Sequence, residues 1–285
     1  MTGGRSVPRV SVVVPSYNNA DFIEATMDSI LGQTFEDFEL VVADHSSQDG
    51  TWERLQRYRT DPRVRLLRTS AGGGAPRNWE QVTAAARGEL VKLVCGDDLL
   101  YPGCLRQQVE AMDASESVVL VAARRDLIDA RGAIVITARG LAGLTGRVPG
   151  RVAARHTVVA GSNIFGEPAC VLIRRAALER AGGWDGRHPF VIDEATYVNV
   201  LLHGDFLGID QPLAAFRLSS SQWSVHLARE QSGQVIGFHH RLAQDEPGLL
   251  SRMDLLRGDA MARGMAYVRR LAYVWVGRRM HAEAP

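Results

Sequence analysis

Short β-branched runs alternate along the chain with stretches whose apolar residues return at helical spacing. Val10-Ser-Val-Val-Val14 predicts a strand that Pro15 should stop, and Ile23, Met27, Ile30 and Leu31 predict a helix after it. Phe38 to Ala43 reads as a second strand, Asp44-His-Ser-Ser-Gln-Asp-Gly50 as turn chemistry, and a second helix is expected from about Thr51. Val64 to Leu67 predicts a third strand, Gly72 to Pro76 a loop, Pro76 to Ala86 a helix opening on proline, and Leu90 to Val94 a fourth strand. The alternation predicts an α/β fold with a parallel sheet covered by helices on both faces. Ligands of such sheets bind beyond the carboxyl ends of the strands, which directs attention to Ser16 to Asn18, Asp44 to Ser47, Arg77 and the pair Asp97-Asp98.

Past residue 100 the pattern loosens. Strands are expected near Val118–Ala122, Ala133–Ile136, Ala169–Ile173 and Phe206–Ile209, with helices near Gly103–Ala114, Arg175–Ala181 and Asp193–His203. From Ser224 the chain reads as helix, broken at Glu246-Pro-Gly248.

At 285 residues, one α/β core with an appended C-terminal piece fits better than two equal domains. A formal charge of +1 excludes a dominant nucleic-acid footprint, so small molecules or glycans are the expected partners. Cys95, Cys104 and Cys170 match neither a disulfide framework nor a zinc site and fit a reducing, cytoplasmic setting. Met1 to Arg9 lacks the apolar segment of a secretory signal, and no run approaches the ~18–20 apolar residues of a spanning helix. Near the C-terminus, Arg263, Arg269, Arg270, Arg278 and Arg279 alternate with Met265, Val268, Leu271, Trp275 and Val276. Such a helix either lies on a membrane surface or packs on the catalytic domain or a second subunit as a homodimer.

Asp44 can accept a bond from a pyrimidine N–H or a ribose hydroxyl, or simply start an Asx-turn. Asp97 and Asp98 repel each other unless a cation compensates them, and hard ions such as Mn²⁺ or Mg²⁺ take one or two carboxylates together with substrate phosphates. Arg77, at a helix start after glycines, suits a phosphate or nucleobase, or solvent. Asp193 is either a general base or a helix N-cap. His226, after Trp223, is a surface or packing histidine or a metal ligand.

In this order the residues resemble the family 2 glycosyltransferases of the GT-A fold, from about Val10 to His226. Val10 to Asn18 resembles the family's opening strand and loop, Ser29 to Thr34 the end of its first helix, and Asp44 to Thr51 its nucleotide-binding loop. Arg77-Asn78, Gly88-Glu-Leu90 and Leu93-Val-Cys-Gly-Asp-Asp98 follow, then Val171 to Asp185 on the acceptor side and Pro212 to Arg217 near the donor phosphates. The resemblance implies a Rossmann-like nucleotide-binding sheet with a helical C-terminal extension: a catalytic domain over 1–223, nucleotide-sugar binding in about 8–100, acceptor side in 101–223, extension over 224–285. It implies Pro15, Tyr17, Asn18, Asp44, Arg77 and Asp97 as nucleotide-binding residues, Asp98 and His226 as ligands of Mn²⁺ or Mg²⁺, and Asp193 as the base. Cys95 departs from the pattern, standing where an Asp is common.

The function so implied is inverting transfer of a sugar from a UDP- or dTDP-sugar to a hydroxyl of a glycan, lipid-linked or small-molecule acceptor, by a protein that is cytoplasmic or peripheral to the membrane. The alternative is a catalytically inactive sugar-nucleotide-binding or scaffold protein. Pro15-Ser-Tyr-Asn-Asn19 lacks the glycines of a pyrophosphorylase or a dinucleotide-binding oxidoreductase.

Overall fold

A computed structural model describes residues 7–218 and 230–276, with side chains placed through residue 270. The strands are β1 (Val10–Ser16), β2 (Phe38–Asp44), β3 (Val64–Arg68), β4 (Leu90–Leu93), β5 (Leu99–Leu100), β6 (Val118–Ile128), β7 (Ile134–Arg139), β8 (Gly146–Val148), β9 (Val171–Arg174) and β10 (Asp205–Arg217). The helices are α1 (Ile23–Leu31), α2 (Thr51–Leu55), α3 (Gly74–Ala84), α4 (Cys104–Asp113), α5 (Gly150–Ala160), α6 (Arg175–Arg180), α7 (Ile192–Leu201), α8 (Gln231–Asp245) and α9 (Arg252–Val276).

The sheet runs β3-β2-β1-β4-β9-β6-β10-β5, with β7 on β6 and β8 on β10. Its first half is parallel as expected, but β9 joins β4 and β6 antiparallel, and β5 joins β10 antiparallel, so the sheet is mixed. An antiparallel insertion is invisible to periodicity, because a doubly covered strand shows the same apolar run in either direction. Pro15 does not stop β1. Pairing with β4 ends at Val13, so the missing N–H at Pro15 removes no ladder bond on that side.

In β1, β2 and β4 successive side chains enter opposite layers. Val12, Val14, Leu40, Val42 and Leu90 join Ile23, Met27 and Ile30 of α1 in the main core, whereas Val13, Val41, Val91 and Leu93 meet Val82 of α3 in a second cluster. The C-terminal helices form as expected and break at Glu246. Ser251 and Asp254 make a reciprocal cap at the start of α9, and Arg155 of α5 holds Asp254 with bonds of 2.9 and 2.7 Å. Gly161 ends α5 at φ +64°, and a Cβ there would lie 2.4 Å from the Ala262 nitrogen, so glycine permits the close docking of α9.

Candidate functional site

β1, β2 and β4 are parallel neighbours, so their carboxyl ends open at one edge of the sheet. Asp44, fully buried, closes β2; its Oδ2 accepts the Ser47 N–H at 3.3 Å and faces Arg68 Nε at 3.8 Å. Its Oδ1 is buried without a donor among the described residues. Such an orphaned oxygen is costly, and a nucleoside N–H or hydroxyl would satisfy it. Asn18 adopts the left-handed conformation at φ +51°, donates its N–H to Ser47 Oγ and accepts the Gln48 N–H on Oδ1, each at 3.0 Å. Asn19 ties the same two loops together through Thr51 Oγ1 at 2.8 Å. Tyr17 stands exposed, edge-on to His45 with ring centroids 6.4 Å apart, and Pro15 is buried within β1.

Helix α3 starts at Gly74, two residues before Pro76, and carries Arg77 exposed in its first turn. Arg77 Nη2 donates to Ser70 Oγ at 3.2 Å, and a Cβ on Gly73 would lie 2.6 Å from Arg77 Cδ, so the glycine lets this side chain fold across the loop. The neighbouring Asn78 is buried and donates to the Ser16 carbonyl at 3.4 Å.

Asp97 and Asp98 lie in the turn between β4 and β5. Asp98 is fully buried; Oδ1 accepts the Arg217 N–H at 3.1 Å, and Oδ2 has no donor among the described residues. Burial first, then the Asp97 charge, push its carboxyl well above the ordinary range, against the Arg217 N–H bond. The Arg217 guanidinium donates to the carbonyls of Asp97 at 2.9 Å and of Asp129 and Ala130 at 3.1 Å, and lies 4.7 Å over the Phe22 ring. The end of β10 therefore clamps the acidic turn. A buried carboxylate with one oxygen orphaned fits a divalent cation. No group of three His, Cys, Asp or Glu suited to a metal occurs among the described residues. His226 lies outside the described residues.

Asp193 is the second residue of α7, not its cap: the cap position is Val191, which makes no side-chain bond to the helix. Its Oδ1 accepts the Glu194 N–H at 2.8 Å and its Oδ2 accepts Asn163 Nδ2 at 2.9 Å. Burial, with the Glu167 charge adding to it, pushes the carboxyl up to about 6. Asn163 holds its own loop as well, accepting the N–H groups of Phe165 and Gly166 and donating to the Gly166 carbonyl. Glu167 pairs with the buried Arg125 of β6. Glu194, fully buried, accepts Thr157 Oγ1 at 3.1 Å and is pushed up to about 8 by burial and by Asp193.

Cys95 joins these groups. Its thiol is pushed well up by burial, and the charges of Asp98, Asp97, Asp193 and Glu167 add to the shift. No motif singles out Asn163, Arg125 or Glu167, because their roles depend on contacts across the sheet. Lys92 did carry a signal. A charge inside the apolar run Leu90 to Val94, it is fully buried and donates to Gln108 Oε1 and to the carbonyls of Ala169 and Val171 at 2.9, 2.6 and 3.3 Å. It thereby ties β4 to the segment entering β9. Trp184 donates to Thr83 Oγ1 at 2.8 Å and meets Trp79 edge-on at 5.0 Å, bringing the Gly182 to Asp185 turn against α3.

The family model for glycosyl transferase family 2 matches residues 11–182. An uncharacterised protein of Mycobacterium tuberculosis is 33% identical over 215 residues, 74% of this chain and 67% of its own length. The putative teichuronic acid biosynthesis glycosyltransferase TuaG of Bacillus subtilis is 35% identical over 106 residues, 37% of this chain and 42% of its own, so the match spans less than half of that relative. Among solved structures, TarS of Staphylococcus aureus in complex with UDP superposes with a TM-score of 0.61 at 17% identity, covering 92% of this chain and 87% of that one. Mannosyltransferase PcManGT of Pyrobaculum calidifontis, in complex with GDP-Man and Mn²⁺, gives 0.67 at 20% identity, covering 95% and 76%. These likenesses establish the GT-A fold.

Proposed function

The chain belongs to glycosyl transferase family 2 and is a glycosyltransferase, and we propose that it moves a sugar from a UDP- or dTDP-sugar to an acceptor hydroxyl with inversion at the anomeric carbon. The observation that carries this reading is the buried Asp98 carboxylate in the turn after β4, with one oxygen held by the Arg217 N–H and the other without a donor among the described residues. The nucleotide complexes of TarS and PcManGT support a nucleoside-diphosphate donor.

Asp44 reads the nucleoside through its unpartnered Oδ1, flanked by Pro15, Tyr17, Asn18 and Arg77. Asp98, with His226 on the sequence resemblance, would hold Mn²⁺ or Mg²⁺, with Asp97 as a ribose or metal-water contact; the Mn²⁺ complex of PcManGT supports a divalent ion. When bound, that ion supplies Lewis-acid stabilisation of the charge developing on the diphosphate. Asp193 accepts the proton of the acceptor hydroxyl as its oxygen attacks the anomeric carbon, while the bond to the diphosphate breaks on the opposite face and the electron pair leaves with the phosphate. A base titrating near 6 is mostly ionised at neutral pH yet more basic than an ordinary carboxylate. In this assignment nucleotide-sugar binding occupies about 8–100, the acceptor side 101–223, and 224–285 form the extension.

The test is release of nucleoside diphosphate from a panel of nucleotide sugars with Mn²⁺, alone and with glycan, lipid-linked and small hydroxyl acceptors. Turnover of one donor that stops on metal chelation is expected. Metal-dependent nucleotide binding without turnover of any donor would instead favour the inactive binding or scaffold reading.

A further inference from the structure

Helix α9 turns two faces to different surroundings. Gly258, Ala262 and Ala266 are buried where α9 packs on α5 and α8. On the outer side Met253, Leu256, Met261, Tyr267 and Val268 recur at helical spacing and are 71, 68, 43, 64 and 54% exposed. A run of large apolar side chains this open, along a helix whose other face is fully packed, is an interaction surface.

The charges beside this stripe have one sign. Arg252, Arg257 and Arg263 are exposed and make no ion pair among the described residues. The acids of the helix are turned away from it: Asp254 is held by Arg155 and Ser251, and Asp259 by His239 and His240. A second copy docking through this face would set arginines against arginines with no carboxylate between them. Lipid phosphates complement it. No helix among the described residues is long and apolar enough to cross a membrane, so α9 would lie in the plane of the interface.

We propose that the outer face of α9 docks on an anionic lipid bilayer, its apolar stripe entering the headgroup boundary and its arginines meeting lipid phosphates. Vesicle binding is measured without turnover and is therefore independent of sugar transfer.

The experiment is co-sedimentation of the intact chain with phosphatidylcholine vesicles, with and without phosphatidylglycerol, at low and high salt. The protein should pellet with the anionic vesicles, less so at high salt, and remain in solution with neutral ones. Replacing Arg252, Arg257 and Arg263 together by Ala should lower partitioning on the order of a hundredfold, at about fivefold for each arginine. Leu256→Glu with Tyr267→Glu should abolish it, while melting temperature and UDP binding stay unchanged, because both positions are exposed. Three outcomes overturn the proposal: no lipid-dependent pelleting, pelleting indifferent to both sets of variants, or a concentration-dependent dimer that Leu256→Glu dissociates.

Discussion

Asp193→Asn separates catalysis from stability at the proposed base. In the wild type the carboxyl titrates near 6 instead of 3.8, so ionising it in the folded protein costs at most about 3 kcal/mol. Its partial exposure reduces that figure. The variant is spared this cost. Against the gain, an amide has one carbonyl oxygen where the carboxylate has two, so one of the bonds from Asn163 Nδ2 and the Glu194 N–H is lost. A hydrogen bond to a charged group contributes about 1.5–3 kcal/mol, and the two effects nearly cancel. Because the folded pKa is raised, the wild type loses stability as pH rises from 3.8 through about 6, and the variant should gain on it across that window. Transfer, by contrast, should fall about 10²–10⁴-fold, the usual contribution of a general base. The wild-type rate should climb with pH through about 6 and then level, since only the ionised carboxylate accepts a proton, and the variant should lack this limb. Nucleoside diphosphate release against pH, calorimetric titration of UDP and melting curves measure the three effects. Near wild-type turnover by Asp193→Asn, or the same acid limb in both proteins, would refute the assignment.

Asp98→Asn should keep the bond from the Arg217 N–H and remove a carboxylate that burial and Asp97 disfavour, so it should melt higher at neutral pH while losing Mn²⁺-dependent UDP binding by calorimetry. Glu194→Gln should retain the Thr157 bond and stay active. Since the wild-type carboxyl is raised from 4.5 to about 8, stability held by its neutral form is lost as pH rises between those values, by a few kcal/mol at most, and the melting advantage of the variant should grow over that window. Asn163→Ala removes a donor that favours ionised Asp193, so the acid limb of the rate profile should move to higher pH while UDP affinity stays constant.

Much of the N-terminal half was legible in the residue pattern. Short β-branched and apolar runs and turn clusters located β1 to β4 and the loops carrying Asn18, Asp44 and Asp97-Asp98, because strand, turn and helix each use short-range chemistry within one segment. Strand direction was not legible, since β9 is as apolar as a parallel strand yet runs antiparallel between β4 and β6. Helix α5, whose buried face of Gly150, Ala153, Ala154, Thr157 and Val158 is built mostly of small and polar residues, and the pairing of β10 with β6 beyond Ile209 also escaped. Position along the chain left Asp193 equally a cap or a base. In the folded protein Asp193 is the second residue of α7, where its carboxylate accepts the Glu194 N–H of the first turn and also Asn163 Nδ2 from 30 residues away in sequence. The sequence by itself determined which residue types stand at the strand ends. Tertiary structure alone decided which of their oxygens stay without a donor and how far burial raises their proton affinities, because both depend on neighbours and solvent exclusion that distant segments supply.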